Sequence, residues 1–356
     1  MDFVYKFPVV RGVQAGSEYY IAMVPLKMLS KLFPSDEEEF VLPEYRAQRR
    51  LNESRIPVIS KYILDNRENY VFSALAASID GEFEYKGNER NADTGILEVS
   101  MDAHFLINDG QHRKSAIMAA LKEDTTLENE TISIVFYADK GLKRSQQIFT
   151  DLNKNAVKTS NSIAELYDVR DEMAVITRNV IWNIDFLNTY TDKEKDILGK
   201  YSSNLFTLNT FYTANKTIVG RTLKDDTEKF LHTYWNEVVE HMKQWQELQN
   251  REITKVDLRE NFIATQSIVI QAFGRVGNYF YSNEIGIEGH IEKIENINWS
   301  RNSKKWYMRA VGKNGRIITN KKAAMLIANL IKKEIGIPLT VDEKNAEELL
   351  KKSIQE

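Results

Sequence analysis

The chain has 356 residues, 42% apolar and 28% charged, with 48 Lys and Arg against 51 Asp and Glu for a net charge of −3. These are the proportions of a folded globular protein, and about 150 residues per domain suggests two or three units. Zero cysteines exclude disulfides, thiolate chemistry, iron–sulfur clusters and cysteine-based zinc sites.

Residues 1–33 predict a strand from Tyr19 to Val24 running into a short apolar helix, PLKMLSKLF. Past the acidic SDEEEF at 35–40, Ile56, Ile59, Tyr62 and Ile63 fall at helical spacing. Pro57 suits the first turn of a helix beginning near Glu53 or Ser54. FSALAASIDG reads as strand and turn. After a polar insert around GNERNADTG come two apolar runs, GILEVSM and AHFLIND, the second ending in Asp109-Gly110. QHRKSAIMAALKE then predicts a helix, TISIVFYAD a strand and LKRSQQIFTDLNK a helix. Strands alternating with helices predict an α/β or α+β domain over residues 1–162.

The middle, 163–284, changes to the long helical patterns AELYDVRDEMAVITRNVIWNI, DDTEKFLHTYWNEVVEHMKQWQELQ and ENFIATQSIVIQAFGRVGNYF. In the second, Leu231, Tyr234, Val238, Met242, Trp245 and Leu248 form one stripe and read as core. Residues 285–356 predict a small unit of hairpin plus helix. KKWYMRAV and RIITN flank an Asn-Gly turn; KKAAMLIANLIKKEIG follows, capped by Asn320 and closed by Gly336. No apolar run approaches the ~18 residues that span a bilayer, and MDFVYKFPVVRG lacks a signal-peptide pattern, so a cytoplasmic protein is expected.

Five histidines (His104, His112, His232, His241, His290) form no HxH, HxxxH or HExxH pair, so no metal site is expected. Neither a phosphate-binding G-x-x-x-x-G-K-[ST] loop nor a G-x-S-x-G elbow is present. The segment FLINDGQHRKSAIMAAL carries more. A buried strand meets a tight Asp109-Gly110 turn and a helix starts at once, where free N–H groups favour anions and glycine allows close approach. His112 and Arg113 place positive charge against the helix dipole, an arrangement that an anion would compensate. Asp109 can cap the helix, hold Arg113 or ligate a metal bound to phosphate. If Arg113 serves only an anion, Arg113→Ala leaves the ligand-free stability nearly unchanged.

Arg46, Arg49 and Arg50 form a basic knot, and Asn153, Lys154, Asn155, Lys158, Thr159 and Ser160 a second polar cluster; each reads as a solvated face or as part of the same site. From Arg301 to Lys333 there are ten Lys or Arg and no Asp or Glu. In a strand from Lys305 to Arg309, Lys305, Tyr307 and Arg309 would share one face and Trp306 would enter the core. Arg301, Lys304, Lys305, Arg309, Lys313 and Arg316, interleaved with Trp299, Trp306 and Tyr307, therefore predict phosphate contacts to nucleic acid.

Several blocks resemble, in order, the DndB family of DNA sulfur modification proteins: RGVQAGSEYYIAM, RAQRRLNESRIPVISKYILDN, YVFSALAASIDG, INDGQHRKSAI, IFTDLNKNAVKTSNSIAELYDVRDEMA and LFTLNTFYTAN. NWSRNSKKWYMRAVGKNGRII and IKKEIGIPLT extend the resemblance across nearly the whole chain. It implies a ParB- and sulfiredoxin-like N-terminal domain in which Asp109, Gly110, Gln111, His112 and Arg113 meet a phosphate or nucleotide; Arg46, Arg49, Arg50 and Asn153 are the residues expected from the sequence to join that site. It implies binding to double-stranded DNA, for which the basic C-terminal unit together with Lys154 and Lys158 is the surface expected from charge. The implied function is regulation of phosphorothioate modification genes or of modification extent, beside other DNA sulfur modification proteins and with an oligomer possible. Where the family often reads AMCP, this chain reads AMVP, so Val24 removes thiol sensing there. Without cysteine the chain is not the sulfur carrier of such a system. The alternative is an enzyme that hydrolyses a nucleoside triphosphate with Mg, or nicks DNA, with Asp109 as its catalytic carboxylate; a scaffold is the third reading.

Overall fold

The computed structural model describes residues 3–34, 52–138, 147–148, 151–152, 159–199 and 201–355. The chain divides into two compact units, 1–157 and 158–356. No helix among the described residues is long and apolar enough to cross a membrane.

The described part of the first unit is built on seven strands: β1 (Val4–Gln14), β2 (Ser17–Pro25), β3 (Leu75–Asp80), β4 (Phe83–Asn88), β5 (Asn91–Ser100), β6 (His104–Asp109) and β7 (Thr131–Ala138). They lie in the order β4-β5-β1-β2-β7-β3-β6. Every pair is antiparallel except β3 with β7. Alternation decides which face is buried: Ile132, Ile134 and Phe136 of β7 and Tyr20, Ala22 and Val24 of β2 point into one core. The helices α1 (Leu29–Leu32), α2 (Ile56–Asp65) and α3 (Gln111–Glu123) add Leu29, Leu32, Ile63, Ile117 and Ala120 to it. The polar insert proves to be the β4–β5 hairpin. Its outer half is exposed, so no apolar alternation marks it.

Ten helices follow among the described residues of the second unit: α4 (Asn161–Tyr167), α5 (Glu172–Trp182), α6 (Asp185–Tyr190), α7 (Leu208–Val219), α8 (Thr227–His241), α9 (Lys243–Gln249), α10 (Lys255–Asn261), α11 (Ser267–Asn283), α12 (Lys321–Glu334) and α13 (Val341–Gln355). Two-residue strands β8 (Thr191–Asp192) and β9 (Phe206–Thr207) pair in parallel. The first long helical pattern breaks in two because Asp168 accepts the N–H groups of Arg170 and Asp171 at 2.8 and 3.1 Å, after which Asp171 caps Ala174 at 3.2 Å. The second breaks at Met242, yet its whole stripe from Leu231 to Leu248 is buried as expected.

α7 and α11 pack closely because Gly274 sits on the Ala214 backbone, where a Cβ would come within 2.8 Å of a carbonyl oxygen. Buried polar groups are matched there: Trp235 Nε1 donates to Asn215 at 2.7 Å, and Asn215 donates to Thr177 at 3.0 Å. The same core runs on through Ile291, Trp299, Trp306, Ile327 and Ile335. Residues 158–356 form one compact unit, and its buried cluster runs across the 284/285 boundary expected from the sequence.

Candidate nucleic-acid interface

At the end of β6, Gly110 adopts φ 98°, ψ 15° and α3 begins at Gln111. No side chain caps that helix and no acid occupies its first turn. The main-chain N–H groups of Gln111 and Arg113 have no partner among the described residues, so these two donors stand at the positive end of the helix.

The side chains of the box divide in an unexpected way. Arg113 Nη1 donates to the carbonyls of Ser73 and Ala74 at 2.7 and 2.8 Å and to the Ser73 hydroxyl, while Nη2 donates to Asp109 at 2.6 Å. Its guanidinium thus ties the turn to the segment entering β3, and Asp109 holds Arg113. His112 Nε2 accepts the Asn52 N–H at 2.9 Å, which makes that nitrogen an acceptor and not a charged donor. The cation that sequence reading missed is Lys114. It is only 7% exposed and has no ion pair or hydrogen bond to its ammonium among the described residues. Its stem is covered while the ammonium keeps some access to solvent, where an anion can reach it. Its signal was available: Lys114, Ile117 and Leu121 share the inward stripe of α3.

Arg113→Ala is accordingly expected to lower the stability of the first unit without any ligand, by about 1.5–3 kcal/mol, because carbonyls and a carboxylate lose a charged donor. Urea unfolding checks this. An unchanged midpoint would return Arg113 to a purely ligand-facing role. Arg46, Arg49, Arg50, Asn153, Lys154 and Lys158 lie outside the described residues. Ser160 caps α4 through Ile163 N–H at 3.1 Å.

In the second unit the expected hairpin shrinks to a turn. Lys304–Trp306 is a single 3₁₀ turn and Met308 has φ 56°, so Lys305, Tyr307 and Arg309 do not share a strand face. Gly312 N–H donates to Arg316 O at 2.8 Å, and Val311 pairs with Ile317 by one bridge. The reason is packing. Trp299 and Trp306 stack at 5.3 Å inside the core, and Trp306 Nε1 donates to Asn298 O at 2.7 Å. Trp306 is core as expected.

Arg309 departs from the expectation of a DNA contact: it is 8% exposed and bonded to Glu347. Arg301 Nη2 braces the turn through Gly315 O at 2.8 Å, and Lys305 pairs with Glu334 at 2.5 Å. Lys304, Lys313, Arg316, Lys321 and Lys322 are exposed and have no carboxylate partner among the described residues. Lys321 and Lys322 stand in the first turn of α12, where cations oppose the dipole. A surface of this kind attracts polyanions.

Elsewhere in this unit, Glu165 is 9% exposed with one carboxylate oxygen unpartnered. Burial first, then nearby Asp196 and Asp171, pushes its pKa up to about 8 against the opposing pull of Lys216. The folded unit therefore holds a proton there that the unfolded chain releases above about pH 4.5. Stability should fall as pH rises from about 5 to 8, by up to about 1.4 kcal/mol per pH unit. Glu165→Gln should flatten that dependence; denaturant melts at pH 5, 6.5 and 8 decide, and equal slopes in both proteins would refute it. Glu237, Glu240 and His241 lie close enough to share an ion, but His241 already faces Glu295 at 2.5 Å and Glu237 at 3.4 Å.

A family model described as DndB, DNA-sulfur modification-associated, matches residues 7–338. No curated protein and no solved structure matches the chain.

Proposed function

The chain belongs to the DndB family, which is associated with DNA sulfur modification, and from that premise we propose that it is a DNA-binding regulator of phosphorothioate modification. The observation that carries this reading is the exposed group Lys304, Lys313, Arg316, Lys321 and Lys322, without a carboxylate partner among the described residues. Cations of this kind neutralise phosphates without reading bases. The α3 start, with Gly110 and the buried Lys114, supplies a second phosphate contact in the first unit; its ligand is a DNA phosphate or a nucleotide.

An enzyme acting through the same turn would need a base and a divalent ion. Asp109 is engaged by Arg113, Asp102 is exposed on a turn and Glu123 stands at the far end of α3, so the binding role is preferred. A nucleotide-hydrolysis assay with Lys114→Ala as control tests this preference; turnover abolished by that change would reverse it.

Lys304→Glu, Lys313→Glu and Arg316→Glu together should weaken binding to promoter, random and phosphorothioated duplexes alike. The slope of log K against log salt should shrink by about 0.9 for each phosphate no longer neutralised. An unchanged slope in a folded variant would move the DNA surface to another part of the chain. A loss confined to one duplex would mean base or sulfur readout instead.

A further inference from the structure

The loop before β9 and the segment joining α10 to α11 line a half-open cavity of about 370 Å³ in the second unit, within the range of small-molecule sites. Leu198 and Phe206 make part of its wall apolar, while Arg259, Thr265, Gln266 and Ser267 supply polar groups.

Three features place donors at the cavity. The 17-residue α11 starts there with no side-chain cap. The N–H groups of Val269 and Ile270 turn back to Gln266 O at 2.8 and 3.2 Å, but those of Ser267 and Ile268 have no partner among the described residues. Thr265, 7% exposed, lines the cavity with a hydroxyl that has no hydrogen bond among them either. Arg259 adds a fixed positive charge, held in place by its bond to Asn204 O. The carboxylate in the wall, Asp196, accepts the N–H groups of Asn161 and Ser162 at 2.8 Å each. The neighbouring start of α7 is closed, since Thr207 accepts Thr210 N–H and Ser162 accepts Asn209 N–H.

We propose that this cavity binds a small phosphomonoester, its phosphate at the start of α11 and its organic part against Leu198 and Phe206. A phosphate offers only acceptors to this donor set, and several oxygens can meet the Ser267 N–H, the Thr265 hydroxyl and the Arg259 guanidinium together. A helix start alone would not identify a ligand; the hydroxyl of the largely buried Thr265, accessible at the cavity and without a hydrogen bond among the described residues, is what adds one. The site would give the chain a soluble effector that is separate from its DNA surface.

Calorimetric titration of the full chain with inorganic phosphate, adenosine 5′-monophosphate and thymidine 5′-monophosphate tests this, with duplex DNA as the competing source of phosphate. Ser267→Pro removes one N–H at a position where proline suits the helix, and Gln266 at φ −72°, ψ 134° already accommodates a following proline. It should weaken binding about ten- to a hundredfold while leaving the ligand-free melt near wild type. Thr265→Val should weaken it about two- to tenfold, and serves if the proline variant does not fold. Binding of a monophosphate that either variant abolishes or weakens supports the site. No binding of any small phosphate, affinities that neither variant changes, or a variant-sensitive signal from duplex DNA alone would overturn it.

Discussion

Arg309→Ala is expected to destabilise the second unit by about 3 kcal/mol, because it removes one partner of a buried ion pair and leaves the other only partly compensated. Arg309 Nη2 donates to Glu347 Oε2 at 2.9 Å and Nη1 to Oε1 at 2.5 Å; Nη1 also donates to Leu326 O. Glu347 is equally buried and takes further bonds from Lys333 at 2.7 Å and Asn329 at 3.2 Å. Burial alone would raise its pKa, but Arg309 and Lys333 outweigh that and bring it down to about 2. Without Arg309, the carboxylate keeps only the half-exposed Lys333 as a cation. A double change to Arg309→Met and Glu347→Leu should recover much of the loss, since apolar groups of similar size often replace a buried pair at little cost. Denaturant unfolding of the wild type and both variants checks this. Arg309→Ala that melts like wild type but binds DNA poorly would place the arginine at the DNA surface after all.

Gly110→Val should cost the first unit about 2–5 kcal/mol. A side chain at φ 98° is strained by about 1–2 kcal/mol. The added Cβ would overlap Leu75 and come within 3.2 Å of Arg113 Nη2, and such overpacking costs about 1–3 kcal/mol more. The same branch would stand beside the open N–H groups of α3, so phosphate binding should fail even where the variant folds. Hydrogen exchange across β3 and β6 measures the first effect, and titration with a triphosphate or DNA the second. Protection and affinity both at wild-type levels would mean that the turn is looser than its geometry implies.

Much of the local structure follows from short-range chemistry that the sequence displays. The alternation Ile132–Ile134–Phe136, the glycine that opens α3, the Asn320 cap at 2.8 Å from Ala323 N and the stripe from Leu231 to Leu248 are each set within a few residues. Periodicity and capping therefore locate them. The break at Asp168–Asp171 was written in the same vocabulary, as two aspartates able to accept N–H groups, but the apolar run across it obscured the stop. β1 was not legible, since of its eleven residues only Phe7 and Val9 are buried and its identity as a strand comes from pairing with β2 and β5.

The sequence by itself determined a cysteine-free, mixed α and β chain with one glycine-hinged helix start and one segment of unbalanced positive charge. Tertiary structure alone decided which of those charges face outward. Arg309 finds Glu347 38 residues away, and Arg113 finds Ser73 at a separation of 40, so both cations hold the fold together while Lys304, Lys313 and Arg316 face solvent. Lys114, unremarkable as a letter beside Arg113, is the one carried inward by the turn of α3. Charge is a property of a residue, but its neutralisation depends on which distant groups packing brings within a few ångströms, and local pattern carries no record of that distance.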